Sequence, residues 1–170
     1  MSGAPRSALR LLDRALDGLL FLTLGGMAGV VFVNVFFRFV VRNSLSWADE
    51  MAQVLMVWLT FLGAAVAMRD RMHYAFDYLV RNLPAGVRRI VVLGGHVLCI
   101  GMTLLLIYWS AKVTLLITAW IMPATGMPRS WVYAACPVGS LFILIYQVRN
   151  LMADWRTQLP VAAGRTPAAD

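Results

Sequence analysis

Charged residues are scarce in this chain. They fill 14% of its 170 positions, against roughly a quarter in an ordinary soluble domain. Apolar residues make up 61%, and the mean hydropathy is +0.74. A soluble domain of this size leaves too much surface facing water to hide that much apolar side chain, so the composition excludes a water-soluble fold and leaves lipid as the solvent. Cysteine is nearly absent. Cys99 and Cys136 lie inside apolar runs with no C-x-x-C spacing, which excludes thiol-exchange chemistry and leaves two small packing residues. Histidine is equally rare. His96 falls in an apolar run and His73 in a polar connection, so no facing pair is available to a haem and no His/Cys cluster to a metal. His96 reads as a hydrogen-bonded packing residue. The chain has no Gly-rich phosphate loop and no Ser/His/Asp or Cys/His set at one depth. Neither a cofactor nor an enzymatic activity is expected.

Lysine is the next absence. Only one of the fifteen basic residues is a lysine, Lys112, and the formal net charge is +7. A nucleic-acid partner would need a basic stripe interleaved with aromatics on a folded soluble part. Nothing here supplies one, so the arginines are read through the positive-inside rule, and membrane lipid is the surrounding partner.

What the chain has in plenty is long apolar runs. A bilayer core of about 30 Å needs roughly 20 helical residues. Residues 18–37, 51–68, 90–111 and 130–148 meet that length. The third run is able to continue past Lys112 as far as Pro123, as a long or broken helix. With the N-terminus inside, the inner side holds Arg6, Arg10, Arg14, Arg69, Arg71, Arg81, Arg88, Arg89, Arg149, Arg156 and Arg165, whereas the outer side holds Arg38, Arg42 and Arg129. The fold class is therefore an all-α membrane protein of four transmembrane helices with both ends in the cytoplasm. Two further stretches read as interfacial amphipathic helices. One carries Leu9, Leu12 and Leu16 opposite Arg10, Asp13, Arg14 and Asp17, and the other spans 74–87. The division expected is a cytoplasmic arm over 1–15, a four-helix domain over 16–156 and a disordered cytoplasmic tail over 157–170. The first run is too long for a signal peptide and no A-x-A-like site follows it.

Helix contacts in lipid favour small residues, and three pairs have the spacing: Gly25/Gly29, Gly63/Ala67 and Ala135/Gly139. Trp47 and Trp131 fall at outer boundaries and Trp155 beyond an inner one, as interface anchors do. Polar groups within the spans are few: Asn34 and Arg38 one turn apart on the first helix, and Asp49, Glu50 and Gln53 opening the second. Helices one, two and four carry no mid-membrane charge and no inverted repeat is visible, so a transport path contained in this chain is not expected. Arg38 and Glu50 fall at one depth, and two readings are open. They pair as a clasp on the first hairpin, or both reach to headgroups and water. Arg42 and Arg129, in two short outer loops, are likewise either docking residues for a soluble partner or ordinary solvated loop charges.

The run Asn34-Val-Phe-Phe-Arg38, then Asn43-Ser-Leu-Ser-Trp47-Ala-Asp49-Glu50, then Trp58-Leu-Thr-Phe61-Leu-Gly63 resembles the small membrane subunit (DctQ type) of TRAP (tripartite ATP-independent periplasmic) transporters. The basic turn after the second helix, Gly126-Met-Pro128-Arg129-Ser-Trp131 and Pro137-Val-Gly139 add to the likeness, which covers most of residues 30–145. The resemblance implies a bacterial inner-membrane protein that supports a large permease subunit. A periplasmic solute-binding protein would deliver an organic acid, and sodium would drive uptake. It also makes Asn34, Arg38, Trp47, Glu50, Trp58, Gly63, Pro128, Trp131 and Pro137 candidates for structural or subunit contacts.

Two other classes are weighed beside it. A stand-alone four-helix exporter would carry a carboxylate embedded in its first helix, where this chain has none. A membrane anchor of a redox complex is disfavoured by the histidine count. The topology is directly measurable: reporter fusions after residues 45 and 126 should read periplasmic, and fusions after residue 80 and at the C-terminus cytoplasmic. A cytoplasmic signal at 126 would rule out four spans.

Overall fold

A computed structural model describes residues 4–70 and 85–162, and these residues are dominated by four helices. They are α1 (Ala4–Phe36), continued by a π-helical segment (Phe37–Val41), α2 (Ser46–Arg69), α3 (Ala85–Leu116) and α4 (Ser130–Ala162). Each contains a stretch long and apolar enough to cross a membrane. A helix is the form that lets such a stretch satisfy its own backbone groups without water.

Helix ends depart from the sequence reading in instructive ways. α1 has 33 residues, which at 1.5 Å each is about 50 Å. Its N-terminal part therefore runs beyond a bilayer core, and the expected arm is no separate element. Leu12 and Leu16, read as lying on the lipid interface, pack instead against Leu62 and Tyr146 at the inner ends of α2 and α4. At the other end the helix widens. The Arg42 N–H bonds to Phe37 O, five residues back, and Arg42 takes a left-handed conformation (φ 55°) that closes the segment. α3 runs past Lys112 and stops at Leu116, short of Pro123. α4 continues to Ala162, so residues 157–162 of the expected tail are helical. Most of the second amphipathic stretch, together with His73, lies outside the described residues.

Pro137 sits inside α4 without ending it, a placement transmembrane helices tolerate when neighbours re-satisfy the freed carbonyl.

The helices adjoin as a chain of neighbours. α1 packs on α2, α2 on α4, and α4 on α3. Among the described residues no other pair of helices is in backbone contact. α1 and α3 therefore have one helical neighbour each among the described residues, and almost nothing of their apolar windows is fully buried, whereas a third of the α4 window is. The buried core is small and lies toward the inner face. Leu16, Leu62 and Tyr146 form its centre, with Leu12, Leu20, Trp58, Met68 and Phe142 against it.

The α2–α4 seam shows how close approach is obtained. Ala48, Ala65 and Ala135 are fully buried, and a Cβ placed on Gly139 would overlap the Cβ of Phe61 and lie 3.2 Å from its Cγ. Of the three small-residue pairs, Ala135/Gly139 is the one engaged within the chain. A Cβ added at Gly25, Gly29 or Gly63 would meet nothing within 4 Å.

Gly139→Val should therefore force α2 and α4 apart at a cost of about 1–3 kcal/mol, seen as a lower melting temperature in mild detergent. Gly25→Ala and Gly29→Ala should leave that temperature unchanged.

Candidate functional site

Most polar contacts between elements gather toward the two ends of α2. At the outer end, Asn34 Nδ2 on α1 donates to Asp49 Oδ1 on α2 at 2.6 Å. One residue on, the Glu50 carboxylate accepts three hydrogen bonds from the α3–α4 connection: from Ala124 N–H at 2.9 Å, from Thr125 N–H at 2.8 Å and from the Thr125 hydroxyl at 2.7 Å. That connection is a tight hairpin. Ile121 bridges to Pro128, Arg129 N–H bonds to Trp120 O, and Met122 N–H bonds to Met127 O. Gly126 turns the chain at φ +69°, a conformation side chains rarely adopt. A third contact runs from the middle of α2 to the start of α4, where Trp58 Nε1 donates to Trp131 O at 3.1 Å.

These contacts correct the expected clasp. Among the described residues no ion pair joins Arg38 to Glu50. The first hairpin is fastened instead by Asn34 with Asp49, and Glu50 reaches across to the second outer connection. The structural reason is geometric. Arg38 lies in the π-helical segment and is exposed, whereas Glu50 lies beside consecutive backbone amides at the hairpin tip. Trp47 and Trp131 are both largely exposed near the outer ends of their helices, Gly63 is half-buried on α2, and Pro128 forms the bridge with Ile121. Arg42 and Arg129 are exposed in the two outer connections.

At the inner end a second group of side chains ties three helices together. Arg69, the last residue of α2, donates from Nη1 to Asp17 Oδ1 at 2.8 Å and to the Asp13 carbonyl at 3.3 Å, and from Nε to Asp70 at 2.9 Å. Tyr146 on α4 donates its hydroxyl to Asp13 Oδ1 at 2.7 Å. Arg149 approaches Asp13 Oδ2 at 3.7 Å, and Asn150 Nδ2 donates to Met68 O at 2.9 Å. Asp13 and Asp17 are four residues apart and so share one face of α1. The Arg69 side chain is 16% exposed, low enough for these bonds to be only weakly screened.

Sequence reasoning missed this inner group. Asp13 and Asp17 read as the polar side of an interfacial helix, and Arg69 and Arg149 as counts in a charge rule. The signal was present all the same: two aspartates at helical spacing, facing helix ends that all fall on one side of the membrane.

Several polar groups within the spans bond locally, whereas the buried Ser140 hydroxyl has no partner among the described residues. Thr23, Thr103 and Thr114 donate to the carbonyl four residues back, and His96 Nδ1 lies 2.9 Å from Val92 O. Among the described residues no group of three His, Cys, Asp or Glu side chains could hold a metal ion.

The family model for the DctQ component of tripartite ATP-independent periplasmic transporters matches residues 27–157. The chain belongs to this family. It is a non-catalytic small subunit of a TRAP transporter, multi-pass in the bacterial inner membrane. A TRAP transporter small permease protein of Haemophilus influenzae is 23% identical over 145 residues, covering 85% of this chain and 88% of that one. The ectoine TRAP transporter small permease protein TeaB of Halomonas elongata is 30% identical over 131 residues, 74% of this chain and 68% of that one. The sialic acid TRAP transporter permease protein SiaT of H. influenzae is 24% identical over 86% of this chain, and the matched stretch is 23% of its own length. The three outer contacts fall within the matched region, whereas Asp13 and Asp17 precede it. The other members of the inner group, Met68, Arg69, Tyr146, Arg149 and Asn150, lie within it.

Arg69→Met should strand Asp17 and cost about 1–3 kcal/mol, and Tyr146→Phe should cost about 0.5–1.5 kcal/mol. Thermal unfolding of the detergent-solubilised chain measures both. Equal melting temperatures for wild type and Arg69→Met would show that the inner group is not a fastening.

Proposed function

We propose that this DctQ subunit braces a large permease partner and offers the outer landing surface for a periplasmic solute-binding protein. The observation that supports this reading is the distribution of polar contacts. Side chains at both membrane faces lock α1, α2 and α4 to one another, while the outward faces of α1 and α3 carry exposed apolar residues such as Phe21, Phe32, Leu105 and Leu115. A chain fastened internally and apolar externally suits a rigid lateral support. The relative SiaT, whose matched stretch is about a quarter of a much longer permease protein, fits the same arrangement.

At the outer face both carboxylates, Asp49 and Glu50, are committed to internal hydrogen bonds, and Arg38, Arg42, Arg129 and Lys112 are exposed. Complementary charge of this kind raises the rate of encounter more than the final affinity. The solute is proposed to be an organic acid taken up with sodium. Relatives are named for sialic acid and for C4-dicarboxylates, although another is named for ectoine.

The test is reconstitution of the large permease and binding protein in vesicles, with and without this chain. Solute uptake should require it. R42E/R129E should slow uptake severalfold at low salt and much less at high salt. Full uptake without the chain would overturn the supporting role, and unchanged low-salt uptake by R42E/R129E would overturn the landing surface.

A further inference from the structure

We propose that Glu50 is the positioning residue of the landing surface: its carboxylate sets the shape of the outer hairpin between α3 and α4 on which a periplasmic binding protein settles. The inference rests on the docking reading above and assigns that surface a controlling group.

Glu50 is the sole glutamate of the chain. Both of its oxygens are used, Oε1 by Ala124 N–H and Oε2 by the N–H and hydroxyl of Thr125. Two successive amides aimed at one carboxylate form a backbone anion cradle, here filled from within the molecule. The hairpin closes on itself through Gly126 N–H to Met122 O and Met122 N–H to Met127 O, but little else ties its tip to α2. Ala124 and Gly126 are exposed, and the residues it displays, Trp120, Ile121, Met127 and Arg129, all face outward. Met122, 3% exposed, is its one buried apolar anchor. The tip is thus fixed to α2 chiefly by the carboxylate, whereas the start of α4 is fixed separately by Trp58. The two functions separate physically. Glu50 shapes the displayed surface, and other contacts hold the helices.

The charged, two-oxygen acceptor is the property that matters. In Glu50→Gln one oxygen becomes an amide donor, which opposes the N–H groups it faces. Glu50→Asp keeps the carboxylate on a shorter stem.

The experiment compares wild type, E50Q and E50D in vesicles holding the complete membrane complex, titrated with the solute-loaded binding protein of the same transporter. Amide exchange across residues 120–129 is followed in the same complex. E50Q should raise the binding-protein concentration for half-maximal uptake about tenfold, leave the maximal rate and the yield of complex near wild type, and speed exchange at Ala124 and Thr125. E50D should recover part of each change. A loss of complex yield or maximal rate with an unchanged half-saturation would mean that Glu50 merely stabilises the fold, and the proposal fails. Faster exchange with unchanged half-saturation sinks it equally. Thr125→Val, which removes one of the three bonds, gives the same readout if E50Q does not assemble, with a smaller rise expected and an unchanged half-saturation counting against the proposal. If R42E/R129E impairs docking while E50Q does not, the landing surface stands and the role of Glu50 is wrong. If neither does, the landing surface falls too.

Discussion

Between helices in a bilayer there is no hydrophobic gain, because lipid tails are as apolar as the side chains they would replace. Position has to come from close packing and from polar contacts, and this chain places most of its interhelical polar contacts toward the two ends of α2, with Trp58 in between. α2 is the common partner. Asp49 takes α1, Glu50 takes the outer hairpin, Trp58 takes the start of α4, Arg69 takes α1 again and the Met68 carbonyl takes α4. Between these two levels the α2–α4 seam is set by small residues, with Gly139 against Phe61 as its tightest point. α1 and α4 do not adjoin by their backbones, yet Tyr146 and Asp13 meet across the inner end of α2. The small core of Leu16, Leu62 and Tyr146 follows from that meeting.

Much of this was legible in the sequence, and the reasons differ from element to element. The four spans follow from run length and hydropathy, properties that any apolar stretch of about 20 residues must show. Ala135/Gly139 was readable as a close-packing pair, but nothing in the spacing distinguished it from Gly25/Gly29, because spacing does not say which face of a helix meets a neighbour. The outer polar residues were named as a group, with the pairing of Arg38 and Glu50 left as one of two readings. Asn34, Arg38, Asp49 and Glu50 fall at one depth, and depth alone allows several pairings. The π-helical turn at Phe37–Val41, which carries Arg38, and the hairpin tip at Ala124 and Thr125, which captures Glu50, are backbone features that residue types do not announce. The inner group was missed because residues 9–17 were read as lying along the membrane interface. Their amphipathic pattern is the same whether the apolar side meets a membrane surface or the ends of two other helices.

The division between fastened and unfastened surface also bears on family membership. Residues 27–157 match the DctQ pattern, and this stretch contains all three outer contacts. The inner contacts draw one partner from α1 upstream of it. The inner end is thus fastened by residues both within and upstream of the matched stretch.

Arranging helices as a chain of neighbours has a geometric consequence. Four cylinders in a closed square share one more seam than the three found here, and they present a shorter outline to their surroundings. An open series maximises perimeter for the number of helices spent. Each additional length of outline must be met by annular lipid or by another protein, so this small subunit has an unusually large edge for its mass. Substitutions on the lipid-facing part of that edge answer to apolarity and helix length, whereas those in the α2–α4 seam answer to shape and hydrogen bonding. Sequence drift should therefore be uneven within α1 itself, slow at Asp13, Leu16, Asp17 and Asn34, which face α2 and α4, and faster on its opposite face.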